Sequence, residues 1–257
     1  MSSTARVLPP ELHPGPDIIR RRHKPEPGTY GDYRECLRWE FGFICAFCLL
    51  HEADIIKHGA EGTGMMWVEH LHPQSTTGKK RKHQYANCYY SCRFCNNRRR
   101  NKPLTKGGQR LLDPCADAWA NHFDLVNARL NPRTDNADYT EKAYGLNDPR
   151  KRKMRKHRRD RIPFLLDQVE TLPGIILDLM QKMSASRGTD RQKCMRHLRT
   201  LRASLDQARR ELQTWAITPA DRPDSCRCRR ARSEKKRIAR RRIPKMYADQ
   251  AVAVPVP

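Results

Sequence analysis

Two Cys-x-x-Cys knuckles, Cys45/Cys48 and Cys92/Cys95, constrain this chain more than any other feature. Each knuckle brings two sulfurs to one point, and two knuckles supply the four thiolates of a closed tetrahedral zinc site. A structural zinc contributes folding energy that short elements cannot supply alone, so it would pin both ends of a small module. The competing reading for the same residues is unmetallated core cysteine. The knuckles lie farther apart than in a simple zinc ribbon, so a substantial insert is held between them.

That insert and its flanks set the order of elements. Tyr33, Leu37 and Phe41 recur every fourth residue, which predicts a short helix leading into "FICAFC". "MMWVEHL" has the apolar and β-branched character of a strand ended by Pro73, and "HQYANC" reads as a second strand after the basic loop "QSTTGKKRK". A helix through "CNNRRRNK" stops before Pro103. The expected order is strand, strand, helix, an α+β core.

Charge narrows the partner. Lys and Arg number 52 against 28 Asp and Glu, a formal charge of +24, and self-repulsion on that scale points to a polyanion. Nucleic acid leads, anionic membrane is the weaker rival, and a solvated basic surface is the bland alternative. No run approaches the roughly 20 apolar residues needed to span a bilayer, and "MSSTARVLPPELHPGPD" lacks an apolar signal core. The chain therefore reads as cytoplasmic and bacterial, or nuclear if eukaryotic, with its paired cysteines as metal ligands rather than disulfides.

Only 37% of residues are hydrophobic, so one core with extended helical arms is expected rather than a single large globule. Residues 1–30 form a Pro-rich disordered arm, 31–105 the zinc-bearing core, 106–218 a helical basic extension and 219–257 a basic flexible tail. Within the extension, Asp113 and Pro114 open a helix with a stripe of Trp119, Phe123, Val126 and Leu130. "YTEKAYGLND" gives another short helix, and "PRKRKMRKHRRDRI" runs as a basic segment to Pro163. Residues 190–216 alternate apolar positions by three and four, an amphipathic helix for pairing with another helix, a protein partner or a second subunit.

The chemistry-bearing residues resemble, in order and spacing, the HNH endonucleases, also called ββα-metal or His-metal finger nucleases, in their zinc-bearing form. The pattern is Cys45 and Cys48; Glu69, His70 and Pro73; Asn87; Cys92, Cys95 and Asn96; then Arg99 to Lys102. It covers about residues 36–105, with a fainter echo in "YGLNDPRKRKMRKHRRDR". The resemblance implies hydrolysis of phosphodiester bonds in DNA, with RNA as the other candidate. It makes His70 the general base, Asn87 the residue that orients it, and Glu69 and Asn96 the holders of one catalytic Mg²⁺ or Mn²⁺ ion.

These roles are chemically sound, since imidazole with a pKa of about 6.5 is basic near neutrality and oxygen donors suit a hard cation. Strand alternation raises one difficulty: it puts His70 and His72 on one face and Glu69 on the other unless the strand bends near Pro73. Glu69 also stands where the family more often has Asp, and Asn96 where it has His. His72 is left over, as a structural residue, a phosphate contact or, with His70, a zinc ligand. Lys79, Lys80, Arg81 and Lys82 in the insert loop and Arg98, Arg99, Arg100 and Lys102 after the last knuckle are expected to grip phosphates. A noncatalytic zinc module that binds DNA or RNA is the alternative reading of the same residues.

Overall fold

The helical face expected at Tyr33, Leu37 and Phe41 forms, as a 3₁₀ turn over Tyr30–Tyr33 followed by α1 (Arg34–Glu40), and all three side chains are buried. The structure is a computed structural model that describes residues 24–57, 65–73 and 81–215. α2 spans Glu52–Lys57, and β1 (Met66–His70) pairs antiparallel with β2 (Cys88–Cys92), Glu69 facing Tyr89 and His70 facing Cys88. α3 (Arg93–Arg99) follows β2 directly and packs on both strands. The strand, strand, helix order is thus present.

One strand is displaced from its expected place. Tyr85–Asn87 is a 3₁₀ turn, and β2 starts only at Cys88. Asn87 explains the shift. Its side chain accepts from the His72 N–H (2.8 Å) and donates to the carbonyls of His72 (3.2 Å) and Arg81 (3.3 Å), so it bridges the loop ends instead of taking a rung in the ladder.

The outer edge of β1 is covered by side chains. Arg34 Nε donates to the Met66 carbonyl (3.0 Å) and Asn96 Nδ2 to the Val68 carbonyl (3.2 Å). These two carbonyls are two residues apart and share one side of the strand.

A tiny hairpin, β3 (Thr105–Lys106) and β4 (Gln109–Arg110), leads to the region expected to be one long helix from Asp113. It is not. Asp113 caps a local turn, its carboxylate accepting from the Cys115 N–H (2.7 Å), and only Trp119–His122 is helical (α4). Phe123–Val126 (β5) and Arg129–Pro132 (β6) then form a hairpin. Asn127 and Ala128 both have positive φ, 50° and 62°, the twist that matches a two-residue hairpin and that a helix cannot contain. Phe123 and Leu130 are buried from this hairpin, while Val126 is exposed.

α5 (Asp135–Tyr144) is the expected short helix, with the Thr134 hydroxyl accepting from the Ala137 N–H. Gly145 ends it at φ 57°, and a Cβ there would stand 3.2 Å from the Arg98 side chain. α6 (Pro149–Ala185) does not stop at Pro163; it continues through Pro163 and Pro173. Burial of Ile162, Leu165, Val169 and Ile176 accounts for this, since a packed apolar stripe can offset the hydrogen bonds the two prolines remove. α7 (Gly188–Trp215) is amphipathic as expected, burying Leu198, Leu205, Ala208, Leu212 and Trp215.

The chain divides into two compact units at Arg159/Asp160, within α6. In the first, Leu37, Phe47, Leu50, Tyr90, Leu112, Leu130 and Tyr144 build one core, with Phe47 and Tyr144 stacked 4.1 Å apart. Residues 106–159, read from the sequence as extension, contribute to that core through Tyr139, Ala143, Leu146 and Met154. In the second unit α6 and α7 run antiparallel, joined by a two-pronged Arg161–Glu211 pair at 3.1 and 2.9 Å. No helix among the described residues is long and apolar enough to cross a membrane.

Candidate metal centre and histidine site

Cys45, Cys48, Cys92 and Cys95 are all fully buried, and their sulfurs lie within 4.8 Å of one another. The chain is bent to achieve this. The Cys45 N–H donates to the Leu50 carbonyl (2.8 Å), the Leu49 N–H to Cys45 (3.1 Å), and Leu49 takes a left-handed φ of 61°. An Ala46 N–H to Tyr90 carbonyl bond (2.8 Å) fastens this knuckle to β2, whose end supplies Cys92; Cys95 sits one turn into α3.

A tetrahedral ion with metal–sulfur bonds of about 2.3 Å places its sulfurs about 3.8 Å apart. The observed spacing, with Cys48 and Cys92 at 3.5 Å, fits that geometry, so this group can hold a metal ion such as zinc.

Around the sulfurs the structure adds residues from the stretch whose composition reads as a basic segment running to Pro163. Lys151, 2% exposed, donates to Cys95 Sγ (3.2 Å) and to the carbonyls of Tyr144 (2.7 Å) and Gly145 (3.0 Å). Arg155 donates to the carbonyls of Cys48, Leu146 and Ala128, each at 3.0 Å. Arg158 pairs with Asp54 (2.5 Å) and donates to the Leu49 carbonyl. Lys151, Met154, Arg155 and Arg158 have the spacing of a buried helical stripe, a signal that could have been found by testing charged positions for core periodicity.

His70, 5% exposed, lies at the end of β1, with its Nε2 3.0 Å from the Lys82 carbonyl and the Tyr30 ring edge-on at 5.1 Å. A carbonyl only accepts, so that nitrogen carries the proton and Nδ1 is left basic in the neutral ring. Burial holds the imidazole below its ordinary value, and the Lys82 hydrogen bond only partly opposes this. His83 belongs to the same surroundings: its Nδ1 accepts from the Tyr30 N–H (3.3 Å), and its carbonyl accepts from Tyr33 Oη (2.9 Å). His72 is partly exposed and is held through its backbone by Asn87. Asn87 therefore fixes the loop that follows His70, whereas the ring itself is held by Lys82 and Tyr30.

Glu69 lies elsewhere. It is buried beside Arg99, its carboxyl pushed up to about 8 by burial, with Arg99 and the His70 N–H opposing the shift. Asn96 reaches β1 through the Val68 carbonyl, which leaves Oδ1 as its ligand atom. The contacts follow strand alternation, Glu69 toward Arg99 and His70 toward Lys82. Oxygen donors of this kind suit Mg²⁺ or Mn²⁺, but a buried carboxyl with its proton held, beside a guanidinium, does not make a cation cage.

The basic residues divide. Arg81, Arg98 and Arg100 are exposed, Lys82 is half-buried with its ammonium 5.0 Å from the Tyr30 ring, and Lys79 and Lys80 lie outside the described residues. Lys102 bridges the carbonyls of Arg98 and Ala143. Arg99 corrects the expectation outright. It is fully buried and donates to the carbonyls of Leu71 (3.0 Å) and Arg100 (3.1 Å), because its place on α3 faces β1, and it cannot reach a phosphate.

Comparison with protein-family models, curated proteins and solved structures finds no match for this chain.

Proposed function

We propose that this protein is an HNH-type endonuclease, a ββα module closed by a zinc-type tetrathiolate centre, that hydrolyses phosphodiester bonds in DNA with His70 as general base and requires Mg²⁺ or Mn²⁺. The observation that carries the reading is the His70 ring: its hydrogen bond to the Lys82 carbonyl leaves the second nitrogen basic, and burial keeps it neutral near pH 7. The buried cysteine cluster joins β2 and α3 to the turn between α1 and α2, a join that supports such a module. The resemblance gives that ion to Glu69 and Asn96, but the buried Glu69 carboxyl beside Arg99 does not fit it, so the reading rests on His70. Arg81, Arg98 and Arg100 supply exposed cations for the phosphates.

A second reading, a noncatalytic metal-bearing module that binds DNA or RNA, is favoured by the burial of His70 and its separation from Glu69. Supercoiled plasmid distinguishes the two. Wild type with Mg²⁺ or Mn²⁺ should nick it, and His70→Ala should bind it equally but leave it intact. Equal binding with no nicking by wild type in either metal selects the second reading.

A further inference from the structure

Five cations among the described residues are buried in the first unit and they are not equivalent: Arg99 spends its donors on the carbonyls of Leu71 and Arg100. Arg38 has the Glu52 carboxylate on two prongs at 2.7 Å, and Arg158 has Asp54. Arg155 spends its donors on carbonyls and on Asn147. Lys151 alone turns to sulfur: its hydrogen bonds go to two carbonyls and to Cys95 Sγ.

A buried ammonium is tolerable only with an opposite charge at hand. Four thiolates around one divalent ion leave two negative charges, whereas four thiols leave none. The state of the cluster therefore decides whether Lys151 has a counter-ion. Lys151 in turn holds the start of α6 against the knuckles, and Arg155 and Arg158 of the same face grip the carbonyls of Cys48 and Leu49.

We infer that Lys151 is the counter-charge of the tetrathiolate centre, and that metal occupancy and the seating of residues 149–159 of α6 against it are one linked equilibrium. The inference rests on the cysteines holding a metal and is independent of whether His70 cuts anything. Its consequence is that metal loss loosens α6, together with the outward-facing Arg150, Arg152 and Lys153 that it carries.

The test uses the full chain loaded with Zn²⁺. Release of Zn²⁺ to a chromophoric chelator should be favoured by about 10–100-fold in apparent affinity in Lys151→Met, as for loss of an outer-shell partner. Lys153→Met, on the exposed face of the same helix, should match wild type. Release from Lys151→Met indistinguishable from wild type overturns the inference. Should Lys151→Met fail to fold, amide exchange of the wild-type chain decides: residues 149–159 should lose protection when Zn²⁺ is stripped, and unchanged protection there overturns the linkage. Neither readout depends on cleavage, so a protein without nuclease activity can still pass.

Discussion

At the scale of single residues, burial has overruled surface expectations most clearly for histidine and arginine. His51 is 1% exposed; burial first, then Arg158 and Arg38, brings it down to about 3, and its Nδ1 accepts from the Ala53 N–H (3.1 Å). Because the folded value lies below the unfolded value of about 6.5, the unfolded chain takes up the proton first, so stability is complete above pH 6.5 and drains away as pH falls toward 3. Lowering pH from 7.5 to 5 should cost about 2 kcal/mol through this group, and His51→Gln should flatten that slope, as read from urea midpoints. Arg99→Ala should lower stability by about 3 kcal/mol, since it strips the buried Leu71 carbonyl and the Arg100 carbonyl of their donor and leaves a cavity in the core. An Arg99 that mattered only to phosphate binding would leave the urea midpoint in place. The four clustered cysteines were legible in the sequence because their spacing is chemical. Arg99 and Lys151 were not, because a cation's burial depends on partners brought in from distant segments.

At the scale of elements, short-range pattern succeeded where one periodicity had no competitor. The face of α1, the strand at Met66–His70 and the stripe of α7 could be read directly. Trp119, Phe123, Val126 and Leu130 fit a helical stripe equally well on paper. Trp119 alone is helical; the other three went into a hairpin because Asn127 and Ala128 take a turn whose sequence signal is weak without glycine. β2 moved because Asn87 bonds the His72 backbone, a partnership that no local window contains. Gly145 offers an element-level test: Gly145→Ala puts a Cβ at positive φ and against Arg98, and should destabilise the end of α5 by about 1–2 kcal/mol in chemical denaturation.

At the scale of the whole molecule, the boundary drawn from charge did not follow the packing. Residues 106–159 share the core of the cysteine module, and the second unit begins only at Asp160. Stripping metal from the intact protein should abolish the near-ultraviolet circular dichroism of the first unit's stacked Phe47 and Tyr144, and restoring Zn²⁺ should return it. The side chains along the outer margin of β1 carry a different implication. Arg34 and Asn96 occupy the carbonyls that a foreign strand would need, so a sheet that has two strands among the described residues is shielded on this margin from growing by recruitment of other copies. Asn96→Ala bares one of those acceptors, and concentrated samples of it should scatter more light on gentle warming than wild type does.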